Sequence, residues 1–221
     1  VAATVPGTES RRPDEEQYSR PAVCTACLAN TSPTPTAVAR QHWTVACLAE
    51  TTRKYIDFAA MQNRRQFLNR LDPAPEPHDV VVVIDVLRSF STAAYAFAAG
   101  ASVIHPVETI CEALLLQEML PEAITTGAIA GGDPAPGFDF GNSPSALAAA
   151  NLQGRELIQT TVAGVRGLLR FAHARAVFAG SLVCARATAN AIRQLGAQEV
   201  MLLITGEWVD RDGDEDVACA D

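Results

Sequence analysis

Short apolar runs alternate with Ala- and Leu-rich helical segments along the second two-thirds of the chain. The most apolar run, residues 80–84, consists of valines and one isoleucine, which is typical of a strand buried on both faces. Strands are predicted over residues 80–84, 102–107, 156–160, 176–179 and 199–204, and helices over residues 91–99, 109–119, 145–150, 164–173 and 183–195. This order predicts an α/β domain, with a mostly parallel sheet that carries helices on both faces.

Residues 1–77 have a different pattern and are predicted to form a poorly ordered N-terminal extension. Residues 1–36 are rich in Pro, Thr, Ser, Arg and Glu and have no apolar periodicity, so we expect them to be disordered. Residues 43–71 place apolar side chains near helical spacing, which predicts one or two helices. The Pro-rich segment 72–77 is expected to be a stiff linker, so that the α/β domain spans residues 78–221.

Composition narrows the classes of function. The 221 residues are 48% hydrophobic, a globular value, and carry a net charge of −8. The acidity lies after residue 78, where 17 acidic residues outnumber 8 arginines, so neither nucleic acid nor an anionic membrane is an expected partner. The sequence has no membrane-length apolar run and no secretory signal, so we expect a soluble, cytoplasmic protein. The sequence does not decide its oligomeric state, and a homo-oligomer is possible. The chain ends at Asp221 inside a further predicted helix, so we expect the domain to be truncated there.

Polar residues collect after the predicted strands, at the edge of the sheet where open α/β proteins bind ligands. Carboxylate oxygens are ligands for Mg²⁺, and guanidinium groups bind phosphate or sulfonate. The rim therefore predicts metal-assisted chemistry on a small anionic substrate. Its carboxylates include Asp85, Asp133, Asp139 and the acidic run 210–216 with Glu215 and Asp216, its arginines are Arg88 and Arg166, and its hydroxyl and amide side chains include Ser91, Thr92, Asn142, Ser143, Thr160, Thr161 and Ser181.

Each of these residues also has a structural interpretation. A carboxylate such as Asp85 after a buried strand is often a helix-entry residue, and the hydroxyls at helix starts could be ordinary caps. The acidic run over residues 210–216 could be a solvated loop, since it lacks the spaced ligands of a calcium-binding loop. Arg88 could form a structural ion pair with the nearby aspartate or bind an anion.

The same residues carry a family resemblance that covers residues 79–221. They include Ile-Asp-Val-Leu-Arg at 84–88, Gly-Phe-Asp-Phe-Gly-Asn-Ser-Pro at 137–144, Thr160-Thr161 followed by Gly164 and Arg166, Gly180-Ser181, and Glu215-Asp216. In order and spacing these segments resemble the 2-phosphosulfolactate phosphatase family. The resemblance implies an Mg²⁺-dependent phosphoric monoester hydrolase that converts 2-phospho-3-sulfolactate to 3-sulfolactate and phosphate, a step of coenzyme M biosynthesis.

On this resemblance, Asp85 is expected to hold Mg²⁺ with help from Asp139, Glu215 or Asp216. Arg88 and Arg166 would stabilise charge on the transferred phosphoryl group, and the hydroxyl and amide side chains named above would contact the small phosphorylated substrate. The turn at 162–166 is Val-Ala-Gly-Val-Arg, where family members have Thr-Asn-Gly-Thr-Arg. A non-catalytic relative that binds a small anion, or a phosphatase of a different small phosphorylated acid, is therefore the alternative.

Overall fold

The structure is a computed structural model that describes residues 43–44, 61–70, 79–129, 133–206 and 213–221. The residues predicted to be disordered, 1–36, and the predicted linker, 72–77, lie outside the described residues. The strands in the described part are β1 (Trp43–Thr44), β2 (Gln62–Phe67), β3 (Val80–Ile84), β4 (Val103–Pro106), β5 (Ile124–Gly127), β6 (Glu156–Thr160), β7 (Ala176–Gly180) and β8 (Glu199–Ile204).

Helices separate most of these strands, in the alternation that the sequence predicts. They are α1 (Ser89–Ala98), α2 (Ile110–Met119), α3 (Pro144–Ala148), α4 (Gly164–Arg170), α5 (Ala185–Leu195) and α6 (Asp214–Ala220). Thr109 caps α2 through a reciprocal pair of hydrogen bonds with Glu112, which explains why this helix begins where the sequence predicts. Within the described ranges, no helix combines the length and the apolar character needed to cross a membrane.

The strands form two four-stranded sheets. The first has the order β2-β8-β3-β7, and all of its pairings are parallel. The second has the order β1-β4-β6-β5, in which the two-residue β1 pairs antiparallel with β4 and the other pairings are parallel. The predicted α/β class with parallel strands and flanking helices is confirmed, and the strands are divided between two sheets.

Strand β3 lies at the centre of the first sheet because its apolar residues can be buried on both faces. All five of its side chains are at most 4% exposed, and alternate residues belong to two different hydrophobic cores. One core contains Ile104 and Leu157 of the second sheet together with Phe90 of α1. The other contains Ile192 of α5. The larger core therefore joins the two sheets, and helices cover β3 on both sides.

Strand β2 corrects the sequence prediction, because residues 62–67 were expected to be helical and form a strand instead. The strand pairs in parallel with β8 along its whole length. Arg64 and Arg65 are exposed at this edge of the sheet and form ion pairs with Glu199 and Asp221. Backbone pairing with an available sheet edge overrides the side-chain spacing that favours a helix.

Strand β5 is the second element that the sequence does not predict. It has only four residues and directly precedes the Gly- and Pro-rich loop. On one side it pairs with β6, and on the other it pairs with the loop, whose Phe140 N–H donates to the carbonyl of Thr125 at 3.0 Å. A strand of four residues is too short to show a clear alternation of apolar and polar positions. Its pairing partners lie elsewhere in the chain, so the local sequence does not reveal them.

Candidate functional site

Asp85 follows β3 at the carboxyl end of the first sheet. Its side chain is only 6% exposed. Its Oδ1 accepts a hydrogen bond from the N–H of Ser89 at 3.0 Å, and its Oδ2 accepts from Ser89 Oγ at 2.5 Å and from the N–H of Gly164 at 2.9 Å. A Cβ at position 164 would lie 2.7 Å from Asp85 Oδ2, so glycine allows this close approach. The starts of α1 and α4 therefore meet at one carboxylate.

Asp216 lies in the first turn of α6 and joins the carboxyl ends of β3 and β8. Its Oδ1 accepts from the N–H of Val86 at 2.8 Å, and its Oδ2 accepts from the N–H groups of Gly206 at 2.7 Å and Thr205 at 3.2 Å. The residue is 1% exposed. The interpretation of the acidic run as a solvated loop is therefore wrong for Asp216, which holds the residue after Asp85 against the end of β8.

The electrostatics of the site follow from the burial of these two carboxylates near each other. Burial raises the pKa of Asp85, and hydrogen bonds from Ser89 and Gly164 partly oppose that rise. Burial, with a further contribution from the charges of Asp85 and Glu215, raises the pKa of Asp216 from 3.8 to about 6. The ionised forms of both carboxyls are thus poorly solvated, and a bound cation would compensate their charge.

The two predicted arginines project from the same helix starts. Arg88 directly precedes α1, Arg166 lies in the first turn of α4, and both side chains are exposed. Neither guanidinium group forms an ion pair or a hydrogen bond with any residue that the structure describes. The structural ion pair considered for Arg88 is therefore not formed with Asp85, and none of the described residues occupies either guanidinium group.

Asp139 anchors the Gly- and Pro-rich loop to β5. Its Oδ2 accepts from the N–H and the Oγ1 of Thr125, both at 2.8 Å, and its own N–H donates to Thr125 Oγ1 at 3.0 Å. Gln117 Nε2 donates a longer bond of 3.4 Å to the same carboxylate oxygen. These hydrogen bonds connect Asp139 to the second sheet and α2 rather than to Asp85, although the sequence groups the two as ligands of one metal.

Beyond this anchor the loop continues to Asn142 and Ser143. Thr126 Oγ1 donates to the carbonyl of Gly141 at 3.0 Å, so the loop runs beside β5 towards its carboxyl end. Ser143 caps α3 by accepting from the N–H of Ala146 at 3.4 Å. The Oδ1 of Asn142 is buried and accepts no hydrogen bond from the residues that the structure describes, which makes this side-chain amide a candidate ligand contact.

The remaining predicted hydroxyls lie near strand ends and mostly support the local backbone. Most of these hydroxyls form hydrogen bonds within the protein. Their role as substrate contacts stays a prediction. Ser91 Oγ donates to Val86 O at 2.7 Å, Thr160 Oγ1 donates to Glu108 O at 3.2 Å, Thr161 Oγ1 accepts from Val165 N at 3.1 Å, and Ser181 Oγ lies 3.7 Å from Cys184 Sγ. Thr92 Oγ1 is buried and has no hydrogen-bond partner in the described part of the chain.

From the sequence alone, no role in the site is predicted for Ser89, Gly164 and Gly206, which follow predicted strands. They nevertheless supply hydrogen bonds to the two buried carboxylates. Most of these donors are backbone N–H groups, which leave no chemical signature in a sequence. The signal that the sequence does contain is a glycine within a few residues of the end of a predicted strand. At Gly206 a Cβ would lie 2.9 Å from Asp216 Oδ2, close enough to displace the carboxylate.

Mg²⁺ needs oxygen ligands, and the carboxylates of the site are the groups that could supply them. Across the described ranges, no group of three or more His, Cys, Asp or Glu side chains is arranged to hold a metal ion. Asp85 and Asp216 nevertheless each keep an oxygen, Oδ1, that accepts a single hydrogen bond. Mg²⁺ at phosphoryl-transfer sites commonly takes one or two carboxylates, and water and substrate phosphate complete its coordination. Two carboxylates with spare lone pairs fit such an ion.

Comparison with known proteins shows the relationships of the chain. The family model described as 2-phosphosulpholactate phosphatase matches residues 67–221. A probable 2-phosphosulfolactate phosphatase of Bacillus subtilis is 37% identical over 145 residues, which are 66% of this chain and 62% of that protein. One of Carboxydothermus hydrogenoformans is 42% identical over 122 residues, which are 55% of this chain and 50% of that protein. The chain thus spans between half and two thirds of these relatives. Since the family model covers more than half of its residues, the chain belongs to the 2-phosphosulpholactate phosphatase family.

Proposed function

We propose that this chain hydrolyses a small phosphomonoester, with 2-phospho-3-sulfolactate and water as the first substrates to test and 3-sulfolactate and phosphate as the products. The family supports a phosphatase, and the chain spans only part of its relatives, so the activity is tested on this chain itself. Two buried carboxylates suit a cation, and two exposed arginines suit an anionic ester. Asp85 contacts the starts of α1 and α4, the two helix starts at which Arg88 and Arg166 lie.

Asp85 and Asp216 would hold the Mg²⁺ ion, and Glu215 would add negative charge beside them. When bound, Mg²⁺ supplies Lewis-acid stabilisation of charge on the phosphoryl group. The chain's own contribution is to fix the carboxylates, because N–H groups of Ser89, Gly164 and Val86 hold their oxygens in place. Such preorganisation means that the site needs little rearrangement when a cation arrives.

Arg88 and Arg166 would bind the phosphoryl oxygens and stabilise the charge that shifts onto them during transfer. Their exposure lets the substrate approach from solvent. Water is the nucleophile in this proposal, and Cys219 of α6 does not compete for that role. Burial raises the pKa of its thiol to about 12, so at neutral pH it remains a neutral thiol.

The observation that carries the proposal is the convergence of Asp85 and Asp216 at the carboxyl ends of the adjacent parallel strands β3 and β8. The test is phosphate release from 2-phospho-3-sulfolactate, with and without Mg²⁺. We expect Mg²⁺-dependent turnover by the unchanged chain and by Asp214→Asn, whose exposed carboxylate is the matched control. In Asp85→Asn, turnover should fall by more than about 100-fold while the circular dichroism spectrum is retained.

Two outcomes would contradict this proposal. Full activity in Asp85→Asn would remove that carboxylate from the mechanism. Binding of the phosphate ester by the unchanged chain without any turnover, at any Mg²⁺ concentration, would favour the non-catalytic relative that binds a small anion.

A second candidate function rests on the apolar residues at the same rim. Leu87 follows β3, Val162 follows β6 and Leu182 follows β7, and these side chains are 63%, 59% and 54% exposed. An apolar rim is not what a substrate with phosphate, carboxylate and sulfonate groups requires, and exposed apolar surface often marks a binding site. It favours a phosphorylated acid with an apolar substituent. A higher kcat/KM for 2-phospho-3-phenyllactate than for 2-phospho-3-sulfolactate would support this candidate, and the reverse order would exclude it.

A further inference from the structure

Gln159 is a buried amide in a strand that is otherwise apolar at its centre. It lies on β6 of the second sheet and is 3% exposed, and its neighbours Leu157 and Ile158 are fully buried. A buried side-chain amide is costly unless it is hydrogen-bonded, so its partner is informative. The sequence-based set of site residues does not include Gln159.

The partner of Gln159 is the start of α1. Its Nε2 donates to the backbone carbonyl of Ser89 at 3.0 Å, across the core between the two sheets. Ser89 in turn donates to both oxygens of Asp85 through its N–H and its hydroxyl. The amide of the second sheet is therefore one hydrogen bond away from the residue that orients the carboxylate.

The segment that follows β6 makes a second contact with the same turn. Gly164, five residues after Gln159, donates its N–H to Asp85 Oδ2 at 2.9 Å. One continuous stretch of chain thus holds the Asp85 turn at two points, the Ser89 carbonyl and the Asp85 carboxylate. Both contacts are buried, so water does not compete with them, and together they limit rotation of the turn relative to β6.

We propose that Gln159 is a positioning residue, which acts from the second sheet to fix the Ser89 backbone and thereby the orientation of the Asp85 carboxylate. The catalytic part of this inference rests on the function proposed above. Its structural part, the coupling of Gln159 to the Asp85–Ser89 turn, can be measured without substrate or metal.

The test compares Gln159→Met with Ile158→Val in the full chain. Methionine has nearly the length of glutamine and cannot donate a hydrogen bond. Ile158→Val removes one methylene from the adjacent buried residue and reports the effect of a small packing change alone. In the absence of metal, amide hydrogen exchange at Ser89 should become at least about tenfold faster in Gln159→Met relative to the core amide of Val82, and the ratio should stay unchanged in Ile158→Val.

The kinetic arm uses phosphate release at saturating Mg²⁺. In Gln159→Met, kcat should fall about tenfold with KM changed less than about twofold, because the ester still meets its arginines while the carboxylate is less well placed. Ile158→Val should keep both constants. If Gln159 had a purely structural role, Gln159→Met would have a lower thermal midpoint and an unchanged kcat per folded molecule.

The outcomes separate the two proposals. If the unchanged chain releases no phosphate, the proposed function fails, and the exchange arm still decides whether Gln159 controls the turn. If the unchanged chain is active and Gln159→Met alters neither kcat nor exchange at Ser89, the positioning role is refuted. Should Gln159→Met not fold, Gln159→Leu takes its place. Failure of both variants to fold, with Ile158→Val folded, would show that Gln159 is a structural residue and would also overturn the inference.

Discussion

Asp216→Asn is expected to change how stability depends on pH. The folded protein raises the pKa of this buried carboxyl from 3.8 to about 6, so it binds the proton more tightly than the unfolded chain does. Stability from the protonated form is therefore fully present below pH 3.8 and is lost as pH rises through about 6. A difference of about two pKa units corresponds to about 3 kcal/mol.

The assay is urea unfolding followed by circular dichroism, at intervals from about pH 4 to pH 7.5 in the presence of a chelator. Asparagine does not titrate, so the free energy of unfolding of the unchanged protein, taken relative to Asp216→Asn, should fall by about 2.5 kcal/mol over this range. The asparagine amide has one acceptor oxygen where the carboxylate has two. Either the N–H of Val86 or the N–H groups at the end of β8 therefore lose their acceptor. That loss adds a pH-independent cost of about 1–3 kcal/mol to the variant.

The control is Asp214→Asn, which removes an exposed carboxylate from the same turn of α6 and should give a profile parallel to that of the unchanged protein. Mg²⁺ added at pH 7 should raise the stability of the unchanged protein, because a ligand of the folded state stabilises it. A constant difference between the unchanged protein and Asp216→Asn across the whole pH range would refute the electrostatic account of the site.

Three further substitutions test separate parts of the structure. Asp139→Ala leaves the buried N–H and hydroxyl of Thr125 without their acceptor, so urea unfolding should show a loss of about 2–3 kcal/mol, with the Mg²⁺ concentration for half-maximal activity unchanged. Gly164→Ala would place a Cβ 2.7 Å from Asp85 Oδ2, so both the thermal midpoint and kcat should fall. Arg166→Ala alters an exposed side chain, so stability should change by less than about 0.5 kcal/mol while kcat/KM for the phosphate ester falls by about 10- to 100-fold.

The central strands could be predicted at their observed bounds because burial on both faces leaves a continuous apolar run. This applies to β3 and β8, whose predicted and observed residues coincide. Strand β6 also has its predicted bounds, although only Leu157 and Ile158 among its five residues are apolar. Strands β2 and β5 could not be predicted in the same way. The first is an exposed, polar edge strand, and the second is stabilised by a loop that pairs with it. Both depend on partners that are remote in the sequence.

The candidate site shows the same division. Asp85 could be identified because it directly follows the most apolar strand, at the end of a sheet where ligands bind. Asp216 could be named but not distinguished from the acidic residues beside it, since its burial depends on N–H groups at the ends of two strands. The sequence groups Asp139 with these carboxylates, and its hydrogen bonds in the structure connect it to Thr125 of the other sheet. Residue type identifies chemistry, whereas tertiary contacts decide which carboxylates share a site.

Calorimetric titration of Mg²⁺ into the unchanged chain, Asp85→Asn and Asp139→Asn measures the central claim directly. The proposed function predicts one binding site in the unchanged chain, an affinity weakened by about 100-fold or more in Asp85→Asn, and an affinity within about threefold of the original in Asp139→Asn. Equal affinity of Asp85→Asn and the unchanged chain for Mg²⁺ would contradict the assignment of this carboxylate as a metal ligand.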